Sequence, residues 1–378
     1  MLQAAGEKEK ALTLYRASVP LLLSRSRGAI GSLGVVYERR LAAILDSYIG
    51  LLADLYRENT TGPLAGEYLS RAFQLADQAR SRVVQAALDK SAARAAAVDP
   101  EFADLIRREQ DAVLQIGALY GLLSDHMAQA VDEQDPQVLQ DLKVRIDRLR
   151  GARAALMEVI EAKLPDYAAL VNPKAPDLET ARSQLLDDEA LLSVFVGRER
   201  SFVWAFGRTG APKFAAVGLG SGEIKQKVDR VRAALNPKAA TLGQIPPFDV
   251  QTAHQLYLDL LRPVEAAWKS SGNLIVVPHR ALGYLPFALF PTHSVAPLAA
   301  RQPLFSEYQD VAWLARSHSI TVLPSVASLG TLRRMPPGAT DRRPFAGFAD
   351  PVFSPDQAQA VALNHREIGK DSSPSLAL

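Results

Sequence analysis

Only Pro20, Pro63, Pro100 and Pro136 precede Pro165, out of 24 prolines in a chain of 378 residues. Proline has no N–H to donate and its ring clashes with the preceding turn, so helix interiors exclude it. The distribution therefore splits the chain. Residues 1–164 should be all-α, with each of those four prolines at a helix junction, and the remainder should be mixed and rich in loops.

A 3.6-residue period supports the first half of that division. Tyr37, Leu41, Ile44, Leu45, Tyr48, Leu51 and Leu55 share one face of a helix over Leu33–Arg57, which Thr60, Thr61, Gly62 and Pro63 break. Leu69, Ala72, Phe73, Ala76, Ala79 and Val83 line a second long helix. Two more follow, one with Phe102, Leu105, Ile106, Val113, Ile116, Tyr120 and Leu123 inward. The next turns Leu139, Leu142, Ile146, Leu149, Leu156 and Ile160 inward. Small residues at 72, 76 and 79 allow two helices to approach closely.

From Ala190 the period changes to two. Leu192, Val194 and Val196, then Phe202, Trp204 and Phe206, then Phe214 and Ala216 alternate with their neighbours, which predicts an antiparallel meander turning at 197–200 and 208–211. Ser221–Leu235 reads as an amphipathic helix, and Phe248–Ser270 as another, bent or interrupted at Pro263. Asn273–Val277, Ser319–Leu323 and Phe345–Phe348 are candidate parallel strands, with Ser325–Arg334 as a crossover helix. An unpaired edge at Phe345–Phe348 would favour self-association. Residues Asn364–Leu378 lack an apolar period, and residues 357–378 are expected to form a disordered tail.

Composition removes several classes of function. The chain has no cysteine, which excludes disulfides, thiolate metal sites and thiol nucleophiles. A formal net charge of +2 gives no nucleic-acid footprint. No stretch has the length of a membrane span, and the Pro-broken run Val19–Leu23 is too short for a secretory signal, so a cytoplasmic protein is expected. The His, Asp and Glu positions show no ligand spacing, so neither metal nor cofactor is expected.

The segment from Val276 to Phe290 reads VVPHRALGYLPFALF, and that from Arg343 to Phe353 reads RPFAGFADPVF. Both resemble the CHAT domain, a caspase-like peptidase family found behind tetratricopeptide repeats, whose members carry VVPHGxLxxLPFALL and PFxGFGDPVF. Arg280 stands where that family usually has Gly. Gly6–Ala17 resembles the second helix of a tetratricopeptide repeat, and Leu33–Glu58 with Gly66–Ala79 a following pair. Phe73–Arg82 resembles the helix joining repeats to the CHAT domain, Leu164–Val171 its linker and Leu185–Leu192 its entry strand. The resemblance covers roughly residues 73 to 353. It implies a tetratricopeptide-like array over 1–164, then an incomplete caspase-like α/β domain over 165–356. A plain helical bundle is the alternative for the first part.

The family's chemistry is a Cys–His dyad, with the His before a Gly on the strand after DPVF and the Cys ending the next strand. No His here precedes a Gly, and there is no Cys. The expectation is thus a chain interrupted within the family pattern and inactive by itself, the regulatory and substrate-side portion of a cysteine peptidase. Its repeats would bind a protein or peptide partner. A non-enzymatic interaction scaffold is the alternative.

No catalytic, cofactor-binding or metal-ligating residue is assigned. His279, at the end of a buried strand, reads as a loop histidine bonded to neighbouring backbone. His318, Ser325 and Asp350 have the residue types of a hydrolase triad, but no nucleophile elbow surrounds Ser325, which an N-cap role explains. Gly218, Gly220 and Gly222 sit between a strand and a helix, as in a phosphate-binding loop, but the third glycine of a dinucleotide fingerprint falls at Glu223. Arg80, Arg82, Arg148, Arg150 and Arg153 are expected on solvated helix faces.

Overall fold

The computed structural model describes residues 7–26, 32–95, 100–127, 135–163, 175–237, 241–296, 298 and 302–334. These belong to a unit spanning Met1–Met335; the second unit, Pro336–Leu378, lies outside the described residues. So do the expected strand Phe345–Phe348, the linker Leu164–Val171, Asp350 and the tail.

Five long helices come first: α1 (Lys8–Ser26), α2 (Ser32–Glu58), α3 (Ala65–Ala95), α4 (Pro100–Met127) and α5 (Pro136–Lys163). Pro100 and Pro136 open their helices, where the missing N–H would have no partner anyway. Pro20 corrects the sequence reading, because α1 runs through it. Ala11, Leu12, Val19 and Leu23 on both sides of Pro20 are buried in the core shared with α2, and that packing outweighs the roughly 3 kcal/mol that an interior proline costs. Tyr15 stacks on Tyr48 of α2 at 4.8 Å. At 27 and 31 residues, α2 and α3 together far exceed the roughly 34 residues that a tetratricopeptide unit divides between two helices. No helix among the described residues is long and apolar enough to cross a membrane.

The remainder builds one mixed five-stranded sheet, with order β3-β2-β1-β4-β5. After the short helix α6 (Leu178–Ser183) come β1 (Glu189–Val196), β2 (Ser201–Gly207) and β3 (Lys213–Val217), an antiparallel meander. Helices α7 (Ser221–Leu235) and α8 (Val250–Leu260) follow; Pro263 then opens a 3-10 segment, Arg262–Ala267, ending the helical run as expected. Strand β4 (Asn273–Val277) returns parallel to β1, and β5 (Ser319–Val322) pairs parallel to β4 before α9 (Val326–Arg334). Meander and parallel strands are therefore one sheet of an α plus α/β protein.

Both faces of that sheet are covered, which explains why β1 and β2 are buried almost throughout rather than at alternate positions. Leu191, Phe195, Phe202, Trp204, Phe206, Ile275 and Val277 point toward α1, α2 and α3; Phe73 meets Trp204 and Phe206 edge-on. Their neighbours of opposite parity, among them Leu192, Val194, Val203, Leu274 and Val276, pack against α7, α8 and the turn that ends at Trp268. Each fully buried Leu, Val or Phe contributes about 1.5–3 kcal/mol of transfer free energy. Helices α1–α3 and the sheet consequently share one core.

Two polar attachments fix the helices on the sheet. Arg200, in the β1–β2 turn, makes paired 2.7 Å bonds to the Asp54 carboxylate of α2 and a 3.0 Å bond to the Gly50 carbonyl. The Arg198 N–H donates to Asp46 at 2.9 Å. Among the described residues β5 is the outer strand on the parallel side of the sheet, and its Ser319, Thr321 and Val322 are exposed.

Candidate functional site

Strands β1 and β4 lie side by side and parallel, yet the chain leaves β1 toward β2 and leaves β4 toward β5 on the opposite side. In open α/β sheets such a divergence opens a crevice at the carboxyl ends of the strands, where ligands bind. Here that position is occupied by residues from three separate parts of the chain: Val196 with Gly197, His279 with Arg280, and Asp77 with Arg80.

His279 follows Val277 and Pro278 at the end of β4. Its Nδ1 accepts the Val196 N–H at 3.0 Å, and its ring stacks on Phe195 with centroids 4.6 Å apart. An imidazole nitrogen that accepts a backbone N–H carries no proton, so Nε2 bears the ring hydrogen. Burial, reinforced by the charges of Arg80 and Arg280, lowers the His279 pKa to about 3. The ring is thus a neutral donor in one fixed tautomer, not a base at neutral pH. Arg280 has φ 53° and an exposed side chain. This is the left-handed region that a side chain enters at a cost and glycine enters freely.

Arg80 corrects the sequence reading most clearly. It is 3% exposed rather than on a solvated face. Its Nη1 donates to the Val194 carbonyl at 2.8 Å and its Nη2 to Ser193 Oγ at 2.7 Å, with Asp77 3.6 Å away. Ser193 is the polar position on the β1 face that otherwise presents Leu191 and Phe195 to the helices, so the strand provides an acceptor where α3 delivers a cation. Asp77 is fully buried and accepts the Val326 and Ala327 N–H groups, at 2.6 and 3.1 Å, at the start of α9. Burial raises the Asp77 carboxyl above its ordinary range against the pull of Arg80 and those two donors, and burial lowers the Arg80 guanidinium. The sequence carried a signal for the pair, since 77 and 80 continue the inward stripe of 69, 72, 73 and 76 at helical spacing.

The other basic residues divide. Arg148 is exposed, Arg150 pairs with Asp147, and Arg153 bonds Glu109 of α4 at 2.6 Å from a partly buried position, which corrects its placement on a solvated face. The Arg82 side chain lies outside the described residues.

Of the hydrolase residue types, His318 and Ser325 are not brought together. His318 precedes β5 and Ser325 follows it, at opposite ends of the strand. His318 is buried edge-on against Trp268 at 5.1 Å, with Nδ1 2.8 Å from Ser317 Oγ. Ser325 Oγ accepts the Ser328 N–H at 3.3 Å and lies 2.8 Å from Ser328 Oγ, the geometry of an N-cap. The glycine loop before α7 is likewise filled by protein. The Gly220 N–H donates to Glu223 Oε2, and the Ser221 N–H donates to the Gly197 and Arg198 carbonyls, so these donors are already engaged. A Cβ on Gly220 would fall 2.2 Å from the Arg198 carbonyl oxygen, so glycine is needed there for close backbone approach. Among the described residues no group of three or more His, Asp or Glu could hold a metal ion.

Comparison with family models, with curated proteins and with solved structures gives no match.

Proposed function

We propose that this chain is the regulatory and substrate-side portion of a CHAT-type, caspase-like cysteine peptidase, with the helical part over residues 1–164 receiving a protein or peptide partner. The observation that carries the reading is the segment VVPHRALGYLPFALF. It begins in β4, an interior strand of the mixed sheet, and its His279 accepts the Val196 N–H at the carboxyl end of β1. Parallel pairing of β5 to β4, with α9 following, supports it further. A sequence without cysteine has no thiolate nucleophile, so these residues cleave no peptide bond by that chemistry alone. A positioned thiol and histidine would have to come from other residues.

The test is the DNA that follows the codon for Leu378, together with a peptide-library cleavage assay. A coding segment bearing a His-Gly strand and a Cys-bearing strand is expected, and adding that polypeptide should produce cleavage that iodoacetamide abolishes. Non-coding sequence there, with no cleavage under any addition, would favour a non-enzymatic interaction scaffold. Leu114 and Leu122 of α4 and Val138, Val144 and Val159 of α5 are exposed large apolar side chains on the helical part, which is what that second reading would use.

A further inference from the structure

Helix α5 has two apolar faces. Leu142, Ile146 and Ile160 are buried on the side from which Arg153 reaches Glu109 of α4. On the opposite side, at steps of three and four residues, run Val144, Arg148, Gly151, Ala155, Val159 and Ala162, and all of them are exposed. Val144 and Val159 keep 45% and 40% of their surface in water. Nothing lies within 4 Å of a Cβ built on Gly151, so its missing side chain makes room for no part of its own chain. Glycine inside a helix is destabilising relative to alanine, and small residues on a helix face let a second helix approach closely.

The exposed stripe is also symmetric about its centre. Gly151 and Ala152, Arg148 and Ala155, and Val144 and Val159 lie at equal distances from the point midway between 151 and 152. An isologous dimer needs such a surface, because a residue that meets another must be met by it in return. We infer that this face of α5 binds a second copy of the chain, the two α5 helices running antiparallel about a two-fold axis beside Gly151. That register sets Val144 against Val159 at both ends and small residues at the crossing. It brings Asp141 opposite Ala162 and Lys163 of the other copy, and Arg148 within reach of the other copy's Glu158. These four charged residues are exposed, and among the described residues Asp141, Arg148 and Glu158 make no ion pair or hydrogen bond. No like charges on the stripe stand opposite one another, so its charge pattern selects a second copy over an unrelated helix. A single helix pair is at the small end of interfaces, so the dimer is reversible, with a dissociation constant on the order of 10 μM. The inference rests on α5 alone and is independent of the peptidase reading.

The experiment uses the full chain, whose lack of cysteine makes cross-linking specific. Ala152→Cys lies beside the axis and Ala118→Cys on the exposed side of α4. Under mild oxidation the first should form an intermolecular disulfide and the second should not, since bridged Cα atoms must lie within about 7 Å. Sedimentation equilibrium from about 1 to 200 μM should show monomer and dimer in exchange. Asp141→Lys and Lys163→Asp should each weaken the dimer about tenfold, because symmetry repeats each change, and the two together should restore it. Within one helix these residues stand about 33 Å apart at 1.5 Å per residue, so restoration comes only across the interface. Gly151→Glu sets two carboxylates face to face across the axis and should give a monomer with its thermal midpoint unchanged or higher, glutamate being the better helix former. A parent chain monomeric at the highest concentration would leave the face to some other partner and overturn the inference. So would equal cross-linking of the two cysteine variants, charge reversals without mutual rescue, or a dimer that persists in Gly151→Glu.

Discussion

Asp77 accepts the backbone N–H of Val326 across a sequence separation of 249, so a carboxylate in α3 caps α9. Three residues on, Arg80 holds β1 through Ser193 and Val194. The two side chains tie α3, the sheet and α9 into one buried polar junction. Removing one partner of such a buried pair strands the other charge away from water.

Removing one partner should therefore cost more than removing both. Asp77→Leu leaves the Arg80 cation buried without its counter-charge, and Arg80→Met leaves the Asp77 carboxylate in the same position. Each single change is expected to destabilise by about 3–5 kcal/mol. The double variant should lose markedly less than the sum, because no charge is stranded. Urea unfolding of the four proteins measures the coupling, and simple additivity would contradict a direct pair.

Arg80→Met also has a defined pH signature. Burial already raises the Asp77 carboxyl, and losing the cation raises it further. An acid whose folded pKa lies above its unfolded value gives stability that is present below the unfolded value and lost as pH rises through the folded one. The deficit of this variant should thus be largest at neutral pH and shrink on acidification toward the ordinary aspartate range. A deficit that stays constant from pH 7 to 4, read by the same unfolding assay, would mean that Asp77 carries no charge burden.

Much of the fold was legible because periodicity survives in a single sequence. The limits of α7 and β4 match those read from amphipathicity and from the apolar run, and Pro263 ends α8 as its chemistry requires. What failed to show was which helix face meets which strand. Arg80 looks like any surface arginine until Ser193 and the Val194 carbonyl are opposite it, and Ser193 sits in β1 without any local signal. Pairing of β1 with β4 joins positions more than 80 residues apart, with a meander and two helices between them, and this long-range register is what assembles the site. The tautomer of His279 was equally hidden, because it depends on the Val196 N–H.

The two glycines flanking Ser221 should behave oppositely. Gly220→Ala drives a Cβ to 2.2 Å from the Arg198 carbonyl, while nothing lies within 4 Å of a Cβ on Gly222. The first change should destabilise by about 1–3 kcal/mol through forced backbone movement. The second, inside the first turn of α7, should be neutral or stabilise by up to about 1 kcal/mol from helix propensity. Thermal unfolding of both variants decides the matter, and similar behaviour of the two would refute the close approach of the β1–β2 turn to α7.

The last prediction concerns acid stability and His279. Its pKa falls from 6.5 to about 3 on folding, so the unfolded chain binds a proton that the folded chain refuses. A base with a depressed folded pKa gives stability that is present above the unfolded value and lost as pH falls below it. The window is therefore from about 6.5 down to about 3, with a slope approaching 1.4 kcal/mol per pH unit from this ring alone. His279→Asn keeps an acceptor for the Val196 N–H but cannot take up a proton. At pH 7.5 the variant should be the less stable protein, having lost the stacking on Phe195. As pH drops toward 4.5 the difference should narrow and then reverse, because only the parent chain pays for keeping its ring neutral. All other titrating groups are common to both proteins and cancel in the comparison. Urea unfolding at half-unit intervals measures it, and parallel stability curves for the two proteins would show that His279 protonates in place with its ordinary pKa.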